Sequence, residues 1–183
     1  ASEELAIERG PFPNIKKSIY KNKKRPPRNA TRTTIAPTGT ISIIAGCSSG
    51  VEPVFALSYF RQVMDKTKLP EVHQYFDEVL KEQGFVKETL LQEIAKAGSI
   101  HNLKVFSEDL RRVFVVSHNI APEWHIKMQA AFQKNTDNAV SKTVNFPHTA
   151  TREQVREVYL TAHALKCKGV TVYRDGSRSG QVL

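Results

Sequence analysis

Apolar positions in this chain recur with two periods, and the two alternate along it. Val72, Phe76, Val79 and Leu80 fall at helical spacing, and Gly84 ends that helix. Leu90, Leu91 and Ile94 predict a second short helix, closed by Gly98. Ser107 ahead of Glu108 and Asp109 reads as an N-cap with acids in the first turn. Pro122 opens a further helix whose Trp124, Met128 and Phe132 form an i, i+4, i+8 stripe, expected to face the core. Strand-like runs lie between: residues 33–36 as a buried strand, Val54 to Val63 as an aromatic one, and 142–146 ended by Pro147. Thr151 with Gln154 makes a capping box for a helix burying Val155, Val158, Tyr159 and Ala162. Gly169 then releases the chain into a strand over 170–173. Strand, helix, strand in that order predicts a right-handed crossover and a parallel pair. The class is α/β.

The segments without a period are as informative. Residues 2–9 suit a helix stopped by Gly10 and Pro11, one that reads as already under way where the chain opens, so the sequence looks like an excerpt. Residues 11–32 form a proline-punctuated basic loop. Between Gly10 and Val51 there is no acid, while Lys16, Lys17, Lys21, Lys23, Lys24, Arg25, Arg28 and Arg32 carry eight positives of a net +9. Such an arm suits a polyphosphate, an acidic surface or nucleic acid, or it is a solvated face. A nucleic-acid module would interleave aromatics with the cations to stack on bases, and only Tyr20 does so.

Ala36-Pro37-Thr38-Gly39-Thr40-Ile41-Ser42 carries the candidate chemistry. A β-branched run meets a proline, then three hydroxyls and a glycine that permits close approach. If a helix starts near Gly39, its unpaired N–H groups add partial positive charge there, which suits a phosphate oxygen. An ordinary turn uses the same residues, and no Gly-Lys-Ser/Thr follows. The two cysteines, Cys47 and Cys167, form no Cys-x-x-Cys pair, and the six histidines show no zinc spacing. Reduced thiols point to a cytoplasmic setting. No apolar run approaches the ~20 residues that cross a bilayer.

Several longer motifs then accumulate in order. Arg28-Asn29-Ala30-Thr31, the run 34–42, Cys47-Ser48-Ser49-Gly50-Val51-Glu52-Pro53 with Phe55-Ala56, Thr136 to Thr143, and Lys168 to Arg178 resemble the catalytic subunit of ribonucleotide reductase. The resemblance is to the adenosylcobalamin-dependent (class II) branch, and it runs from about residue 5 to the end. It implies that residues 1–183 are one partial domain, the C-terminal portion of a ten-stranded α/β barrel. It also implies thiyl-radical chemistry that replaces a ribonucleotide's 2′-OH by hydrogen. The cofactor would be adenosylcobalamin, and the partners the ribonucleotide substrate, the remainder of the same subunit and a thioredoxin-like reductant, with a homodimer possible. The family's radical and reducing cysteines lie in upstream segments, and Cys47 and Cys167 do not match them.

What the resemblance places here is the substrate phosphate loop: Ala36, Pro37, Thr38, Gly39, Thr40, Ile41 and Ser42. Tyr173 is followed by Arg174, which breaks the tyrosine pair of the branch that imports its radical from a second subunit. A class I type large subunit is the alternative that this departure disfavours. Glu52 reads as a buried carboxylate near the site or as an ordinary loop acid, and Arg174, Asp175 and Arg178 as a turn held by ion pairs.

Overall fold

The structure is a computed structural model describing residues 1–62, 68–85 and 88–177. Helix α1 (Ser2–Arg9) ends at Gly10, whose φ of 74° explains the glycine. The basic arm is not extended, although most of its cations stay exposed. It makes a 3-10 turn at Ile15–Lys17 and folds back on α1. Lys23 pairs with Glu3, and the Arg28 guanidinium donates to the carbonyls of Arg9, Gly10 and Pro11. Tyr20 sits between Lys23 and Arg32, which lie 5.7 and 5.5 Å from its ring centre, so the arm's aromatic is occupied by its own cations.

A first apolar core gathers between residues 54 and 120. The hairpin β1 (Ser58–Gln62) and β2 (Lys68–Val72) pairs antiparallel, Ser58 opposite Val72. Helices α3 (Gln74–Glu82), α4 (Glu88–Ala97) and α5 (Glu108–Val113) follow. Leu57, Phe76, Leu80, Ile94, Ile100, Phe106 and Val116 are buried together. The Phe76 ring packs 5.0 Å from Phe114 and 6.0 Å from Phe106, centre to centre. The expected strand at 54–63 forms only over Ser58–Gln62, with Val63 outside the described residues. Val72 is the last residue of β2 and not the first of a helix, because the hairpin register claims it. The Ser107 cap forms, its hydroxyl accepting from the Leu110 N–H at 3.3 Å.

The second core lies between α6 (Pro122–Gln133), β3 (Thr143–Phe146), α7 (Arg152–Ala164) and β4 (Thr171–Arg174). Strands β3 and β4 pair in parallel, Thr143 opposite Thr171, as the strand–helix–strand order requires. Ile126, Val144, Phe146, Val158 and Ala162 fill the space between them and the helices. The Thr151–Gln154 capping box is present in both directions, at 2.9 and 3.3 Å. Tyr159 is exposed and not in the core, since Val158 and Ala162 already occupy the inner line of α7. Arg174 donates to the His148 carbonyl at 2.6 and 2.9 Å, and Arg178, the other cation of the expected ion-paired turn, lies outside the described residues.

The stripe on α6 is the main reversal. Trp124, Met128 and Phe132 are 58%, 49% and 41% exposed, while His125, Ile126, Gln129, Ala130 and Gln133 face inward. Polar residues win the inner face because unpaired backbone groups await them there. Gln129 donates to the carbonyls of Val140 and Gly169. Gln133 donates to those of Thr136 and Asn138 and accepts from the Lys168 N–H. Among the described residues the strands make two two-stranded sheets and no closed barrel.

Candidate functional site

The chain reaches the hydroxyl loop alongside the segment that leads into β3. Residues 33–36 do not form the expected buried strand: Thr33 and Thr34 are exposed, and a single parallel bridge joins Ile35 to Val140. With this one bridge among the described residues, the run lacks the ladder a strand needs. Its anchors are polar. The Asp137 carboxylate accepts from the N–H groups of Arg32 and Thr33 at 2.7 and 3.3 Å, and the Thr33 hydroxyl accepts from the Asp137 N–H at 2.9 Å. These amides hold the Asp137 carboxyl below its usual range, with Arg32 adding charge. Ser141 N–H donates to the Ile35 carbonyl at 2.9 Å.

Beyond Ile35 the loop turns outward. Ala36, Pro37, Gly39, Thr40 and Ile41 are exposed, Thr38 is half-buried, and Ser42 is buried. Thr38 stands at the N-cap position of helix α2 (Gly39–Ala45) in the left-handed region, at φ 53°, and its side chain makes no cap hydrogen bond. The first N–H groups of α2 therefore have no partner from the usual capping hydroxyl. The Ser42 hydroxyl donates to the Gly39 carbonyl at 2.7 Å and its N–H to the Thr38 carbonyl at 2.9 Å, which ties down the first turn from within. The structure thus brings together an open run of backbone donors, an uncommitted Thr38 hydroxyl and a Thr40 side chain in solvent. Ile43 and Ile44 are exposed beside them.

The second loop, 46–50, closes against the first. Gly50 has φ 52°, and a Cβ there would stand 3.2 Å from the Ala36 carbonyl and 3.9 Å from the Thr38 hydroxyl. Glycine is required twice over, by backbone and by space. Two residues on, Glu52 is neither a solvent-facing loop acid nor a free carboxylate. Its Oε2 accepts from Lys142 Nζ at 2.8 Å, and its Oε1 accepts from the Thr143 N–H. Lys142 itself is 2% exposed and donates also to His125 Nδ1 at 2.8 Å and to the Thr143 carbonyl at 2.7 Å. Three ammonium hydrogens meet three acceptors. His125 in turn donates from Nε2 to the Ser117 carbonyl at 3.1 Å. Burial pushes the pKa values of both bases down, and for His125 the Lys142 charge adds to it.

The motif 136–143 thus meets both loops, an arrangement that the order of motifs did not reveal. Nothing local in the sequence marks Lys142, His125, Gln129 or Gln133 as site residues: a lysine opening a strand and polar residues on a helix are ordinary surface positions. Tyr173 is half-buried in β4 opposite Asn145. Cys167 packs beside the second core, where burial pushes its thiol pKa up, and Cys47 is exposed after α2. Neither thiol is activated by a basic partner among the described residues.

A family model described as "Ribonucleotide reductase, barrel domain" matches residues 1–173. A vitamin B12-dependent ribonucleoside-diphosphate reductase of Thermoplasma acidophilum is 48% identical over the whole chain, which covers 24% of that protein. The enzyme of the same description from Mycobacterium tuberculosis (strain CDC 1551 / Oshkosh) is 46% identical, again over the whole chain and 26% of its own length. The chain therefore spans about a quarter of these curated relatives. Among solved structures, the Actinobacillus ureae class Id ribonucleotide reductase alpha subunit superposes with a TM-score of 0.72 at 26% identity, covering 96% of this chain and 31% of that one. Matched over nearly its whole length by the model and by these relatives, the chain belongs to the ribonucleotide reductase barrel-domain family.

Proposed function

We propose that this chain is the C-terminal portion of the ten-stranded barrel of a vitamin B12-dependent ribonucleotide reductase, and that residues 36–42 hold the phosphates of a ribonucleoside diphosphate. The relatives from Thermoplasma acidophilum and Mycobacterium tuberculosis are ribonucleoside-diphosphate reductases, which favours the diphosphate. The observation that carries the loop assignment is its openness: Thr38 leaves the start of α2 uncapped, and Ala36, Pro37, Gly39 and Thr40 are exposed. Backbone donors, the α2 dipole and the Thr38 and Thr40 hydroxyls then converge on one anion. Fixing the phosphates away from the reacting carbon orients the ribose, so remote binding supports the rate of the radical step.

The exposed apolar faces favour the same reading. Trp124, Met128 and Phe132 on α6, with Ile41, Ile43 and Ile44 on α2, suit burial by the remainder of the catalytic subunit. Adenosylcobalamin would supply the radical in that complete enzyme, and a thioredoxin-like dithiol the electrons. The corrin ring itself supplies the cobalt's four equatorial nitrogens, so no ligand cluster is required of this segment, and no three His, Cys, Asp or Glu side chains gather among the described residues. No step here passes through the cobalt. No helix among the described residues is long and apolar enough to cross a membrane.

The test is equilibrium binding of a ribonucleoside diphosphate to the full-length reductase. Thr38→Ala removes one hydrogen bond to a charged group, which is about 1.5–3 kcal/mol and so at least a tenfold weaker Kd. Ser42→Ala loosens the first turn of α2 and has a smaller effect in the same direction. Unchanged affinity in both variants ends the assignment.

A further inference from the structure

Lys142 is a costly residue for its place. A buried ammonium is expensive to desolvate, and a well-packed apolar side chain at such a site is often neutral or stabilising. Its three donors are nevertheless matched one to one, by Glu52, His125 and the Thr143 carbonyl. The fold uses the cluster as a fixed point. On one side of Lys142, Ser141 and Val140 hold Ile35, the residue from which the phosphate loop departs. On the other, Glu52 closes a turn through its N–H onto the Ser49 carbonyl at 2.9 Å, and the Gly50 within that turn lies against Ala36 and Thr38. Both ends of the loop's support are thus referenced to residues 140–143.

We infer that Lys142 is a positioning residue for nucleotide binding: by gripping Glu52 it presses the Gly50 turn onto Ala36–Thr38 and so sets where the loop's donors stand. The inference rests on the phosphate-loop reading and adds a specific cause for the loop's shape. Charge is needed because the grip must span from β3 to a separate loop and fix one geometry, which a greasy contact does not. Glu52 acts with it through both oxygens, one on the lysine and one on the Thr143 N–H.

The experiment compares two probes on the full-length reductase, a ribonucleoside diphosphate and the same ribonucleoside without phosphates. Lys142→Met is expected to raise the diphosphate Kd about tenfold and leave the ribonucleoside Kd unchanged. Glu52→Gln, which keeps an acceptor for Thr143, moves the same quantity severalfold and carries the test if Lys142→Met does not fold. The double variant binds no more weakly than Lys142→Met alone, since the two act as one unit. A merely structural role would shift both probes together, or neither, and either result overturns the inference. Gly39→Asp separates it from the underlying reading: no heavy atom lies within 4 Å of a Cβ there, so the change adds repulsion without a clash. If Gly39→Asp weakens diphosphate binding and the Lys142 and Glu52 variants do not, positioning fails and the loop stands. If Gly39→Asp changes nothing, the loop assignment falls and the positioning role with it.

Discussion

The two cores of this chain are held by different chemistry. Between residues 54 and 120, Phe76, Leu80, Ile94 and Phe106 meet as an apolar cluster. In the C-terminal part, α6 presents His125, Gln129 and Gln133 to the interior and leaves Trp124, Met128 and Phe132 outside. The first core stabilises by removing area from water and specifies little beyond its own shape. The second uses directional bonds to fix irregular backbone at 136–142 and 168–169, and it is this backbone that supports the hydroxyl loop. Mutations in the first core should therefore cost stability, and mutations on the inner face of α6 should also change the site.

The largest effect expected is from Phe76→Ala, which opens a cavity in the apolar core at a cost of about 3–5 kcal/mol. Hydrogen exchange should show the loss over α3–α5, and diphosphate affinity of the folded fraction should be unchanged. A fall in affinity would erase the distinction between the cores. Gln133→Ala comes next. It strips partners from the Thr136 and Asn138 carbonyls and the Lys168 N–H, about 1–3 kcal/mol for each group left without replacement. Exchange should quicken at 134–141, and the diphosphate Kd should rise along with the loss of stability.

The smallest effect is a pH dependence. Burial and the Lys142 charge hold His125 below its ordinary value of 6.5, with the Ser117 carbonyl and Glu52 opposing and His118 adding weakly. As pH falls through 6.5 the unfolded chain takes up a proton that the folded one refuses. Its contribution to stability is therefore complete above that value and declines below it, levelling once the native imidazole also protonates. Urea unfolding at pH 7.5 and at successively lower pH should show this slope, and His125→Gln should flatten that part of it. An identical slope in the variant would mean that the lysine–histidine contact has no energetic consequence.

Much of the fold was legible because its signals are local. Thr151 with Gln154, Ser107, Pro122 and the stops at Gly84 and Gly98 each act within one helical turn, so neighbours in sequence suffice. The parallel β3–β4 pair followed from a strand, a helix and a strand of matched length. The loop at 36–42 was legible as chemistry, through its hydroxyls and glycine. Val72 was misread because an apolar residue next to a helix satisfies either period, and only the hairpin partner Ser58 decides between them.

What the sequence determined by itself, then, was where the capped helices start and stop, the apolar faces of α3 and α4, and the hydroxyl-and-glycine make-up of the loop at 36–42. Tertiary structure decided which side of α6 turns inward, that Lys142 is buried, and that Glu52 reaches β3. The reason is physical. An apolar residue gains by burial against almost anything, so its pattern is readable alone. A buried glutamine or lysine gains only where particular carbonyls and carboxylates converge, and here Gln129 depends on Gly169, 40 positions away, and Lys142 on Glu52, 90 positions away, while Gln133 depends on a turn whose shape the fold must first create.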